Sequence, residues 1–172
     1  PKWDLRLFGP QSLLEGAWAR AVAVAAPERC LVVAGKAHGA RIRASLRTLP
    51  ASNLLIEPDL RDTAGAVAFA AGWALRHSPD GALLVLPGDA LIEQLDRFAV
   101  CAQTALLVGM KEQALVTFGI VPRFAATCYG YVQRGEAVAG KKAPAGAPRA
   151  FAVRAFKEKP PLEVAQAYLK SG

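Results

Sequence analysis

The stretch CLVVAGKAHGARIRASLRTLPASNLLIEP, residues 30–58, reads as strand, helix, strand. Residues 30–34 form a short unbroken apolar run that ends at Gly35 and Lys36. Residues 53–57 carry a second such run, closed by Pro58. Continuous apolar runs of this length suit strands buried on both faces, as parallel strands are. Two parallel neighbours need a crossover between them, and residues 36–49 have a helical pattern that supplies one. The unit predicts an α/β fold, a mainly parallel sheet flanked by helices. In such sheets ligands sit beyond the carboxyl ends of the strands. The residues to watch are therefore those just after each strand.

Outward from this unit the alternation continues. Ser12-Leu13-Leu14-Glu15 is a capping box, and Leu13, Leu14, Ala17, Trp18, Ala21 and Val22 follow at helical spacing. After the second strand, Asp62 or Thr63 is placed to cap a helix over 64–77. Ser78-Pro79-Asp80-Gly81 is a turn, and 82–86 reads as a third strand leading into Pro87-Gly88-Asp89. Residues 91–113 are mostly helical in pattern, although 104–110 taken alone pass for a strand. Residues 115–121 read as a strand, and 129–133 as an edge or hairpin strand. A Gly/Ala/Pro/Lys-rich loop is expected over 140–148. Residues 151–156 alternate like a half-exposed strand, and Pro160-Pro161 opens a helix over 162–170. With no repeat and no long linker, residues 1–172 read as one domain.

Composition narrows the class. The 172 residues are 53% hydrophobic and 20% charged, enough apolar surface to offset the entropy of ordering. No apolar run approaches the ~18–20 residues of a membrane helix. The net charge is +7, of which +5 lies in residues 141–172. These basic residues form no run and are not interleaved with aromatics, so a small phosphorylated ligand or a solvated basic face is expected rather than nucleic acid. Cys30, Cys101 and Cys128 match no zinc spacing and read as buried, reduced thiols of a cytoplasmic protein. The chain opens Pro1-Lys2-Trp3-Asp4 with no apolar leader after it, and it is expected to be processed or part of something longer.

Three segments carry groups suited to chemistry. Asp89 follows a buried run directly, where a carboxylate can bind Mg²⁺ or cap a helix from Leu91. Arg61-Asp62-Thr63-Ala64 opens a helix whose free N–H groups can receive phosphate or the polar edge of a base. Glu158-Lys159-Pro160 follows a strand in the basic third, and its lysine suits a phosphate or a plain surface pair. His38 and His77 have no partner at metal-binding or catalytic spacing. No GxSxG elbow, P-loop or GxGxxG fingerprint occurs.

Taken together these segments resemble the mannose-1-phosphate guanylyltransferases of the sugar nucleotidyltransferase superfamily. Pro1-Lys2 is similar to the end of that family's Gly-rich signature, and Gln11-Ser12-Leu13-Leu14 to the helix opening after it. Leu31-Val32-Val33-Ala34-Gly35 resembles the next strand. Glu57-Pro58 with Arg61-Asp62-Thr63-Ala64 is similar to Glu-Pro…Arg-Asn-Thr-Ala, and Leu86-Pro87-Gly88-Asp89 to Leu-Pro-(Ala/Ser)-Asp. Residues 115–122, LVTFGIVP, are almost the family's own wording. Thr127 with Tyr129-Gly130-Tyr131, and Phe156-Lys157-Glu158-Lys159-Pro160, resemble its Glu-Thr-Gly-Tyr-Gly-Tyr and Phe-x-Glu-Lys-Pro motifs.

The resemblance implies a Rossmann-like sheet of the nucleotide-diphospho-sugar transferase type, here a partial domain truncated at both ends. It implies transfer of GMP from GTP to mannose 1-phosphate, with release of pyrophosphate. Lys2 would stabilise the triphosphate and Asp89 would hold Mg²⁺ or Mn²⁺. Arg61, Asp62, Thr63, Ala64, Pro87 and Gly88 would lie at the nucleotide. Tyr129, Gly130, Glu158 and Lys159 would hold the sugar phosphate. No nucleic acid or membrane partner is implied, and a homodimer fits. The Gly-rich signature is absent apart from Pro1-Lys2, and so is the segment of the second metal carboxylate. Trp3 replaces Gln, Asp62 replaces Asn, Ala90 replaces His, and Ala126-Thr127-Cys128 replaces Glu-Thr-Gly. These departures leave room for a non-catalytic sugar-nucleotide binder, or for a relative acting on another sugar phosphate.

Overall fold

In the computed structural model the described residues are 1–7, 9–59, 61–138 and 148–171. The first helix, α1, spans Leu13–Val22. Ser12 Oγ accepts from the Glu15 N–H at 3.2 Å, and Glu15 Oε2 accepts from the Ser12 N–H at 2.6 Å. The capping box read from the sequence is therefore complete. Strand β1, Val32–Gly35, pairs in parallel with β2, Leu54–Glu57, and Val32 stands opposite Leu54 and Gly35 opposite Glu57. The crossover between them is shorter than expected. A 3₁₀ turn at Lys36–His38 leads into α2, Gly39–Ser45, and the chain leaves the helix at Leu46.

The core sits where this unit meets α1. Leu14, Ala34, Ile42, Leu46, Leu49 and Leu54 are buried together, with Trp3, Trp18 and Val32 packed against them. Each fully buried aliphatic side chain of this kind contributes about 1.5–3 kcal/mol. A buried amide fixes the entry to both strands. Asn53 Nδ2 donates to the carbonyls of Glu28 and Cys30, both at 2.9 Å, and its Oδ1 accepts from Ser52 Oγ.

Helix α3, Asp62–His77, follows β2 as expected, but neither Asp62 nor Thr63 caps it. Its N-cap is Arg61 with no side-chain hydrogen bond, because Asp62 turns through φ 54°. Residues 82–86 and 115–121, expected as strands, form no ladder among the described residues. A strand exists only where a second segment presents matching N–H and C=O groups, and apolar patterning reports just one of the two partners. Helix α4, Leu95–Glu112, starts later than the pattern suggested and includes 104–110 as helix; it ends at Gln113 in the left-handed region. The hairpin forms: β3, Tyr131–Ala137, pairs antiparallel with β4, Phe151–Lys157. All of β4 is exposed rather than half-exposed. The last helix, α5, spans Leu162–Ser171 behind a fully buried Pro160. The loop expected over 140–148 lies almost wholly outside the described residues. No helix among the described residues is long and apolar enough to cross a membrane.

The hydrogen bonds from Ser12 hold the Glu15 carboxyl below its ordinary value, with Arg6 at 3.4 Å assisting. A depressed carboxyl stabilises the fold above its unfolded value, and that contribution is lost as pH falls through the folded value. Glu15→Gln, which removes the titrating partner of the Ser12 N–H, is expected to cost about 1 kcal/mol near neutral pH. The gap to the parent should shrink as pH drops below about 4. Urea unfolding at pH 7 and pH 3 checks this, and a gap independent of pH would contradict it.

Candidate functional site

Tyr129, Gly130, Glu158 and Lys159 are brought together by the hairpin. The Lys159 N–H donates to the Tyr129 carbonyl at 3.2 Å, which closes the ladder at its site end. A Cβ on Gly130 would stand 2.8 Å from Glu158 Oε2 and 2.5 Å from Phe156 Cζ. Gly130 thus admits both side chains to a space that any other residue would fill. Lys159 Nζ lies 3.6 Å from Glu158 Oε1, and both side chains are exposed, so they can turn toward a ligand. Lys159 holds φ 42°, a left-handed conformation that is unusual for lysine and more so before a proline. Tyr131 fixes the approach, donating from its hydroxyl to the Ala126 carbonyl at 3.0 Å.

Arg61 to Ala64 stand just beyond the carboxyl end of β2, and all four are exposed. Glu57, Pro58, Asp59, Arg61, Gly65 and Phe69 line a shallow depression of about 250 Å³. Arg61 reaches Asp59 at 3.8 Å, an exposed pair of little energetic weight. Its Cβ lies 2.5 Å from where a Cβ on Gly65 would stand, so Gly65 is what lets the first turn fold so tightly. Three described non-glycine residues have left-handed φ, and two of them, Asp62 and Lys159, belong to the predicted site. Backbone strain gathers at binding sites, where the surroundings hold it in place.

Asp89 is exposed, makes no ion pair among the described residues, and caps no helix, since the N-cap of α4 is Gln94. Its carboxylate is free for other work. Trp3 Cβ and Leu14 Cδ1 lie 4.0 and 3.7 Å from where a Gly88 Cβ would stand, which sets the Lys2-Trp3 segment beside Pro87-Gly88-Asp89. Among the described residues no three His, Cys, Asp or Glu side chains gather to hold a metal. One exposed carboxylate still fits Mg²⁺ or Mn²⁺ arriving with a nucleotide, since Mg²⁺ commonly takes one or two carboxylates plus substrate phosphates.

The expected site residues thus fall in three groups: Pro87–Asp89 beside Trp3, Arg61 with its depression, and the hairpin end. His38 meets Trp3 edge-on and His77 stacks on Trp73, so both histidines have aromatic partners of their own. The cysteine expectation needs correction. Cys30 is buried, and burial with nearby Glu28 raises its thiol; Cys101 is half-buried and Cys128 is exposed beside Tyr129. Sequence reasoning also missed Arg20. It is buried on α1, its Nη2 donates to the Ala90 carbonyl at 2.8 Å, and burial pulls its guanidinium below the ordinary value. The signal was present: Arg20 falls on the same helical stripe as Leu13 and Ala17.

The family model described as nucleotidyl transferase matches residues 5–172. The chain belongs to the nucleotidyl transferase family. Among its relatives, a mannose-1-phosphate guanylyltransferase of Escherichia coli K12 is 40% identical over 176 residues, covering 100% of this chain and 36% of that protein. The xanthan biosynthesis protein XanB of Xanthomonas campestris pv. campestris strain B100 is 39% identical over 174 residues, covering 100% of this chain and 35% of its own length. The chain thus spans little more than a third of these relatives. The fold is similar to a crystal structure described as mannose-6-phosphate isomerase from Helicobacter pylori, with a TM-score of 0.78 and 26% identity over 100% of this chain and 62% of that one.

The two glycines of α3 give an internal contrast. Nothing lies within 4 Å of a Cβ on Gly72, whereas one on Gly65 meets Arg61. Gly72→Ala is expected to stabilise by about 0.5–1 kcal/mol through helix propensity. Gly65→Ala is expected to destabilise by about 1–2 kcal/mol, because the Arg61 turn must shift. Urea midpoints measured side by side decide this, and equal stabilisation by both would refute the Arg61 contact.

Proposed function

We propose that this chain carries the substrate-handling part of a mannose-1-phosphate guanylyltransferase, which joins GTP and mannose 1-phosphate into GDP-mannose and releases pyrophosphate. The observation that carries the reading is the hairpin end, where Tyr129 and Lys159 are hydrogen bonded and Gly130 makes room for Glu158. This cluster offers what a sugar phosphate requires. The Glu158 carboxylate accepts from hydroxyls, and the Lys159 ammonium meets the phosphate as a point charge. The relatives that match the whole chain at 38–40% identity and bear the guanylyltransferase name support the choice of sugar and base.

In this reading a sugar-phosphate oxygen attacks the α-phosphorus of GTP and pyrophosphate leaves on the opposite side. The protein's task is to hold two polyanions in line and to offset their charge. Lys2 faces the triphosphate and Arg61 to Ala64 the nucleotide, with Pro87 and Gly88 giving the backbone close approach. Asp89 would hold Mg²⁺ or Mn²⁺, and the bound ion would supply Lewis-acid charge neutralisation at the phosphates. The basic excess of residues 141–172 serves the same end by drawing in anions. A second reading, a sugar-nucleotide binder without turnover, is favoured by one feature. Asp62 sets an exposed carboxylate beside the nucleotide phosphates, where the family pattern has an amide.

Pyrophosphate release by the intact natural polypeptide tests the two readings. Release is expected only with GTP, mannose 1-phosphate and Mg²⁺ all present; tight GDP-mannose binding without release would favour the second reading. Asp89→Asn is expected to lower turnover on the order of a hundredfold or more. An unchanged rate would remove Asp89 from the metal. Lys159→Ala is expected to raise the KM for mannose 1-phosphate about tenfold and that for GTP much less. Equal effects on both would displace Lys159 from the sugar-phosphate site.

A further inference from the structure

Arg20 is the one buried charged side chain among the described residues. Only 3% of the residue is exposed, and it forms no ion pair among the described residues. Its Nε is buried without any hydrogen-bond partner. Removing a guanidinium from water costs several kcal/mol unless a charge or several acceptors repay it. Here one acceptor does, the carbonyl of Ala90, reached by Nη2 at 2.8 Å. An apolar side chain would serve the packing better, so stability does not explain the arginine.

Its single partner does. Among the described residues, Arg20 makes the one side-chain hydrogen bond to residues 82–93, which belong to no helix or ladder. Asp89 lies in this stretch, next to the residue that Arg20 grips. Leu14 and Trp3 lie 3.7 and 4.0 Å from where a Gly88 Cβ would stand, and apolar neighbours set distance but not the direction of a carboxylate. Arg20 and Leu14 both stand on α1, so one capped helix bonds to Ala90 and lies beside Gly88, the two chain neighbours of Asp89.

The geometry points to Arg20 as a positioning residue: its guanidinium clamps the Ala90 carbonyl and so aims the Asp89 carboxylate at the nucleotide's divalent cation. This rests on the reading of Asp89 as the metal ligand. Residues that orient ligands in this indirect way carry about 10–100-fold in metal affinity or activity.

The test uses the intact natural polypeptide and two readouts, Mn²⁺ binding to the GTP complex followed by electron paramagnetic resonance, and turnover against Mg²⁺ concentration. Arg20→Met keeps the volume and removes the buried charge. It is expected to fold with a melting temperature equal to or above the parent's, to bind Mn²⁺ about tenfold more weakly, and to lower kcat about tenfold or more. The KM for mannose 1-phosphate should not move. Arg20→Lys, whose ammonium can still reach a carbonyl, is expected to recover part of both losses. A folded Arg20→Met variant with parental Mn²⁺ affinity and Mg²⁺ dependence would overturn the proposal. Should Arg20→Met fail to fold, Arg20→Leu, which also removes the donor, decides: parental Mn²⁺ affinity overturns the proposal, and a weaker one supports it. Asp89→Asn run alongside separates the two claims. If it too leaves Mn²⁺ binding intact, the metal assignment itself has failed; if it abolishes binding while Arg20→Met does not change it, the Arg20 inference alone has failed.

Discussion

The parallel pairing of Val32–Gly35 with Leu54–Glu57 is the constraint on which the rest depends. Because Gly35 stands opposite Glu57, both strands end at the same level, and the turns after them open on the same side. That is why a basic turn at Lys36 and the Pro58–Arg61 segment share one edge. The pair is held from two directions. Leu14 of α1 and Ile42 of α2 close the apolar side, and Asn53 ties the two strand entries through the carbonyls of Glu28 and Cys30. A buried amide that meets several partners fixes register in a way that apolar contact cannot. The position of Pro58 and Asp59 at the end of β2 follows from this register.

Much of the fold was legible in the sequence because local rules and tertiary demands agreed there. The Ser12–Glu15 box, the apolar runs at 30–34 and 53–57, and the alternation at 129–133 each led to the element expected. The misreadings share one cause. Residues 82–86 and 115–121 have the composition of strands, yet a ladder requires a partner that composition does not name. The cap of α3 went wrong for a different reason. Asp62 is a good capping residue by type, but its left-handed backbone carries it past the capping position and leaves Arg61 there.

Of the expected site residues, the structure brings together those that flank the hairpin. Tyr129, Gly130, Glu158 and Lys159 are far apart in the chain and were grouped by motif; the hairpin brings them into contact. Arg20 stood on the apolar stripe of α1, but its bond to Ala90 and the approach of Trp3 to Gly88 were not legible, because each depends on packing against a segment without regular structure. An arginine on an apolar stripe can be a snorkelling surface residue or a buried clamp, and periodicity treats both alike. Left-handed φ at Asp62 and Lys159 is likewise a property of the folded backbone. Its value to a ligand is that the ordering is complete before binding begins.

The unpaired run Leu115-Val116-Thr117-Phe118-Gly119-Ile120-Val121 has a consequence for the protein in solution. It holds no charge, and Leu115, Ile120 and Val121 are almost fully exposed. A β-branched, uncharged heptad with free backbone groups is a template for cross-β stacking between chains. Pro122 and Arg123 at one end, with Lys111 and Glu112 upstream of the other, are the residues that blunt it. Charge beside an apolar run opposes stacking locally, which the chain's net charge of +7, concentrated in residues 141–172, does not do at this run.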